Sequence, residues 1–145
     1  LLEIPATGVV KVDEALIPTG EIGDWDTLGA RFSQPTSLDL AKGSYDAHLV
    51  LPEERPFNAR LSYPRLGRTL TIESDKAGVQ MFTRGGGTLP APEGSAEAGP
   101  VEGLPEAVAL EPQLHPDAPN HADFPSIELK AGQPYEHQIT YRLSW

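Results

Sequence analysis

No cysteine occurs anywhere in the chain. Disulfides, thiolate metal sites and cysteine nucleophiles are excluded by that absence, which says little about compartment. Positive charge is scarce: eleven Lys and Arg stand against twenty-one Asp and Glu, a net charge of −10. Such a surface repels phosphate backbones and anionic headgroups, so neither nucleic acid nor a membrane is an expected partner. A neutral ligand such as a sugar is compatible with it. Apolar runs are short, and none approaches the roughly eighteen residues a membrane helix needs. The chain opens on "LLEIPATGVVKVDEAL", strand-like from the start and without an initiator Met, as though an earlier portion had been cut away. A cytoplasmic setting is expected, with the periplasm or export as alternatives.

Catalytic signatures are missing too. There is no GxSxG elbow for acyl transfer. "RGGGT" lacks the Walker spacing and its Lys-Ser/Thr ending, so it is not a phosphate loop.

Proline and glycine are abundant: fifteen and fourteen in 145 residues. That punctuation favours many short elements over long helices, in one domain spanning 1–145 with a single core. The periodicity is of two. "YEHQITYRLSW" sets Tyr135, His137, Ile139, Tyr141, Leu143 and Trp145 on one face, as in a strand buried on one side. "RTLTIES" alternates in the same way. "SYDAHLVL", "AGVQMFTR", "EAVALEPQ" and "FPSIELKAG" are further strand candidates bounded by Gly or Pro, and "LIPTGEIGDW" and "LKAGQPY" read as turns. The expected class is all-β, a large antiparallel sandwich. Residues 84–106, "RGGGTLPAPEGSAEAGPVEGLPE", carry almost no large apolar side chain and read as a long surface loop.

Four features invite a chemical reading. In "EAVALEPQ", Ala107, Ala109 and Glu111 share a face, so two small residues leave space in front of a strand-end carboxylate. Pro112 lacks an amide donor and should weaken the ladder just beyond Glu111. A partly desolvated base and a solvated strand-end Glu both fit this pattern. Asp46 shares a face with Ser44 and His48 inside an otherwise apolar strand; it either binds a ligand hydroxyl or simply meets solvent. Gln80 lies on the same face as Phe82, a polar group beside an aromatic, as in a sugar site or at an ordinary rim. Finally, Glu111 to Asp123 packs His115, Asp117, Asn120 and His121 into a short span. Imidazole and carboxylate suit zinc, yet Pro116, Pro119 and Pro125 interrupt them without a known ligand spacing. No metal is expected there; a proline-stiffened loop is. Paired with Asp46, Glu111 would also offer the carboxylates a glycosidase needs.

Four blocks, in order, resemble the aldose 1-epimerases (galactose mutarotases). "VDEALIPTGEI" looks like that family's turn-and-strand motif, "YDAHLVL" like its YDHNFVL segment, and "GVQMFTRG" like its GxQxYTGN segment. "EPQLHPDAPNHADFPSIELKAGQPYEHQITYRLSW" resembles its ending, which begins ETQ-x-x-PDAxN. The resemblance is to the C-terminal half and implies part of a galactose mutarotase-like supersandwich. It implies an isomerase that interconverts the anomers of a galactose- or glucose-type monosaccharide without cofactor or metal. On it, Glu111 matches the general base, Asp46 a ligand of substrate hydroxyls, and Gln80 a polar residue beside them. Departures cluster here: Pro112 replaces Thr, Ala47-His48 replaces His-Asn, and Arg84-Gly85 replaces Gly-Asn. The family's two active-site histidines belong to H-x-YFNL-type segments that precede anything equivalent to Leu1. None of His48, His115, His121 and His137 matches them. The expected partner is therefore an N-terminal fragment of the same protein, present as a separate chain and bringing the acid histidine. A non-catalytic carbohydrate-binding sandwich, or a relative that has lost turnover, is the alternative.

Overall fold

A computed structural model describes residues 1–29, 31–39, 44–84, 87–89, 101–104 and 106–145. Among these there is no α-helix; eleven strands and three short 3₁₀ turns make up the regular structure. In chain order they are β1 (Leu2–Glu3), β2 (Gly8–Val12), β3 (Pro18–Gly23), β4 (Asp46–Val50), β5 (Ala59–Tyr63) and β6 (Arg68–Ser74). β7 (Gly78–Arg84), β8 (Gly87–Leu89), β9 (Val101–Leu104), β10 (Ala107–Gln113) and β11 (Ile139–Ser144) follow. One sheet has the order β1-β5-β6-β11 and a second the order β10-β7-β4-β2-β3, all antiparallel. β8 and β9 pair with each other inside the segment expected to be a loop; residues 85–86, 90–100 and 105 of it lie outside the described residues.

The two sheets pack face to face over one core. Leu2, Ala59 and Ile72 come from the four-stranded sheet, and Val9, Leu49, Val79 and Met81 from the five-stranded one. Alternation explains the choice: Ala47 and Leu49 point inward from β4, Val79 and Met81 from β7, and Leu110 from β10 packs against them. Phe32, fully buried, closes one part of this core, with Trp25 at 6.0 Å and Tyr45 edge-on at 5.5 Å between ring centroids. The all-β sandwich is thus as expected.

Some local expectations need correction. "LIPTGEIGDW" is not a single turn: the reversal lies at Asp13–Ile17, with Leu16 in the left-handed region at φ 63°, and β3 starts at Pro18. The Asp13 carboxylate accepts from the amides of Ala15 and Ile17 and supplies the turn's hydrogen bonds, a local signal that the Gly and Pro count obscured. "FPSIELKAG" forms no strand. The ladder does not weaken at Pro112, because pairing continues through Pro112↔Val79 to Gln113↔Gly78. Among the described residues β10 is the border of its sheet, where one row of amides has no strand partner in any case. The terminal strand begins only at Ile139, and Tyr141, Leu143 and Trp145 are exposed rather than buried. Alternation gave their common face correctly, but β11 is an edge strand: Ile139 at its start packs against the core, while the described residues leave Tyr141, Leu143 and Trp145 largely uncovered.

Candidate functional site

The outer face of the five-stranded sheet carries the chemistry. Since inward positions are taken by Ala47, Leu49, Val79, Met81 and Leu110, their neighbours Asp46, His48, Gln80 and Glu111 all point outward. Register places them more closely than alternation could. Glu111 stands opposite Gln80, and Gln80 opposite His48, giving one row across three strands; Asp46 sits opposite Phe82 in the next row. Asp46 and Glu111 are therefore two strand spacings apart sideways, about 10 Å.

Gln80 Nε2 donates to Asp46 Oδ1 at 2.7 Å, fixing the amide and one carboxylate oxygen together. Glu111 is exposed, and no hydrogen bond or ion pair engages its carboxylate among the described residues. A pocket of about 560 Å³ opens on the same face, with Lys11, Asp46, His48, Gln80 and Gln113 as polar lining and Val10, Val12 and Leu16 among its apolar walls. Glu111 is not part of that lining; it borders the pocket from the neighbouring strand.

The His- and Asp-rich segment after β10 folds back over this face. Phe124 and Ala118 bury themselves against Val10, forming a small second core on the outside of the sheet. Asp117 occupies the left-handed region at φ 60°, and Asn120 Nδ2 donates to its carboxylate. His121 reaches across to β3, with Nε2 at 3.1 Å from the Pro18 carbonyl oxygen and 3.2 Å from Asp117 Oδ2. Its ring occupies the space over Gly20, where φ is +87° and an added Cβ would come within 2.5 Å of His121 Nδ1. These contacts are those of a loop stiffened by Pro and Asx geometry, and among the described residues no cluster of three metal-ligating side chains forms.

Sequence reasoning missed the partner of His48. His115, five residues beyond the strand position of Leu110, turns its Nδ1 to within 3.0 Å of His48 Nε2, and both rings are buried. His115 also stands edge-on to Phe124, at 5.1 Å. Gly78 makes room for this pair: a Cβ there would lie 2.8 Å from the Leu49 carbonyl oxygen and closer still to His48 Nε2. Gly78→Ala should cost about 1–3 kcal/mol through overpacking, read as a lower urea midpoint with an unchanged slope. It should also displace the His48 ring.

Burial, and secondarily the neighbouring His115 ring, pushes His48 down to about 4 from its ordinary 6.5; the Gln80 side chain acts in the opposite sense. His115 is lowered by burial as well. Both rings are neutral in the fold at pH 7. Because unfolding lets His48 return to 6.5, the unfolded chain binds the extra proton between pH 6.5 and about 4. Stability is full above that window and falls as pH drops through it, by about 3 kcal/mol for this group. Urea midpoints at pH 7.0 and 4.5 should differ accordingly, and His48→Asn should flatten the slope.

The comparisons with known proteins agree with this architecture. The family model for aldose 1-epimerase matches residues 1–142. Galactose mutarotase from Rattus norvegicus is 32% identical over 150 residues, and that from Homo sapiens 32% over 152, each alignment covering 97% of this chain. Maltose epimerase from Levilactobacillus brevis is 33% identical over 142 residues, or 92% of the chain. The chain spans 42% of the length of the two mutarotases and 39% of the maltose epimerase, in keeping with a match to one part of them. In solved structures, the GalM/aldose epimerase homologue from C. elegans superposes with a TM-score of 0.77 at 26% identity, over 99% of this chain and 45% of that one. With its two antiparallel sheets and a family match running almost from end to end, this chain belongs to the aldose 1-epimerase family.

Proposed function

We propose that the chain forms the base-bearing part of an aldose 1-epimerase that opens and recloses the ring of a free aldohexose. The observation carrying this reading is the shared outer face: Asp46, Gln80 and Glu111, taken from three different strands, line one side of the sheet beside a pocket. Glu111 takes the proton from the anomeric hydroxyl as the bond from C1 to the ring oxygen breaks, and an acid protonates that oxygen. The aldehyde rotates, and reclosure with the proton transfers reversed gives the other anomer. Asp46, braced by Gln80, holds substrate hydroxyls. The exposed, unengaged carboxylate of Glu111 supports a role in which it meets the substrate rather than the protein.

The acid comes from elsewhere. His48 and His115 are buried against each other and held neutral, and no histidine of this chain matches the family's acid. We assign it to an N-terminal portion of the same protein, associated as a separate chain. The open apolar row of Tyr141, Leu143 and Trp145 and the 42% coverage of the relatives support that assignment. Intact-mass measurement of the folded material should show a second polypeptide; a 15.6 kDa species alone would sink the two-chain arrangement. Polarimetry on freshly dissolved α-galactose and α-glucose tests the activity itself. Equilibration no faster than buffer, together with retained sugar binding, would favour the non-catalytic carbohydrate-binding reading, to which Pro112 beside Glu111 lends weight.

A further inference from the structure

We propose that His115 is a positioning residue for Asp46, acting through His48 and Gln80. The inference rests on the sugar-binding role given to Asp46 above; two of its links are hydrogen bonds and the third, between His48 and Gln80, is set by register. At the loop end, His115 Nδ1 and His48 Nε2 are 3.0 Å apart, so one of them carries the proton and the other accepts it. At the substrate end, Gln80 Nε2 is committed as donor to Asp46 Oδ1. That leaves Gln80 Oε1 as an acceptor, and the register sets Gln80 directly opposite His48. His48 Nδ1 is buried and makes no hydrogen bond among the described residues.

Only one proton order leaves every group in this chain with a complementary neighbour. His115 donates from Nδ1 to His48 Nε2, and His48 therefore carries its own proton on Nδ1, on the ring whose nearest polar neighbour across the ladder is the Gln80 side chain, which acts on His48 as an acceptor would. The reverse order would leave His48 Nδ1 an acceptor beside another acceptor, with a buried nitrogen unsatisfied. Orientation thus passes from the loop to the ring, from the ring to the amide, and from the amide to the carboxylate. His115 is in turn fixed by its edge-on contact with Phe124 and by the small core of Val10 and Ala118. The loop that follows the strand bearing Glu111 would in this way set the rotamer of a carboxylate two strands away.

Two measurements decide it. Ring-nitrogen correlation spectra of the 15N-histidine-labelled chain at pH 7 should show His48 as the Nδ1–H tautomer, the minor form of a free imidazole. An Nε2–H tautomer at His48 would overturn the proposal without touching the assignment of function. Second, His115→Phe keeps the ring against Phe124 but removes the donor, whereas His115→Asn supplies an N–H near the place of Nδ1. Sugar dissociation constants from titration should weaken by about tenfold in the first variant and return to within about twofold in the second. The Gln80 side-chain amide signals should move only in the first. Unchanged affinity and unmoved Gln80 signals in a folded His115→Phe variant would refute the relay. A wild-type chain that binds neither galactose nor glucose would instead remove the proposed function, leaving the tautomer and the Gln80 signals to judge the relay.

Discussion

Glu111→Gln should slow anomer interconversion by about 10²–10⁴-fold, the range a positioned general base contributes, while the protein stays folded. Polarimetry gives the rate and circular dichroism with a urea titration gives the fold. The substitution is nearly isosteric, and the carboxylate it removes is exposed, so no buried group loses a partner. Sugar affinity should change far less than turnover, since the lost interaction is with a proton in flight rather than with a bound hydroxyl. Near-normal catalysis by a folded variant would move the base elsewhere. If binding by the wild-type chain were intact and catalysis already absent, Pro112 would be the first residue to revert toward the family's Thr.

The second large effect concerns the frame behind the site. Phe32→Ala should cost about 3–5 kcal/mol, measured as a loss in the free energy of urea unfolding. Phe32 is fully buried and lies against Trp25 and Tyr45, so its removal opens a cavity with aromatic walls. Tyr45 immediately precedes Asp46, and its backbone amide donates to Thr83 Oγ1 at 2.6 Å. The cavity therefore borders the entry of β4, and Phe32→Leu, which fills most of the space, should recover most of the stability. Equal losses in the Ala and Leu variants would mean that ring packing at this corner, rather than volume, carries the energy.

Much of the sandwich was legible because alternation is a local property. That Ala47 and Leu49 share one face and Asp46 and His48 the other follows from "SYDAHLVL" alone, and the split of Val108 and Leu110 from Ala109 and Glu111 from "EAVALEPQ". Pairing is not local. That Glu111, Gln80 and His48 form one row depends on the registers of two ladders, which residue spacing does not encode. The His48–His115 contact spans sixty-seven positions and arises only when the loop folds over the sheet. For the same reason, Tyr141, Leu143 and Trp145 were read as buried: periodicity tells which side chains share a face, and only the neighbouring layer decides whether that face is covered.

Pro112 has one more consequence. Seven consecutive pairs join β10 to β7 without interruption, so the donor that proline lacks falls on the outer, unpaired row. A strand arriving at this margin meets a missing rung next to Glu111. Any chain that lies along this margin, the proposed N-terminal portion included, does so without a hydrogen bond at Pro112.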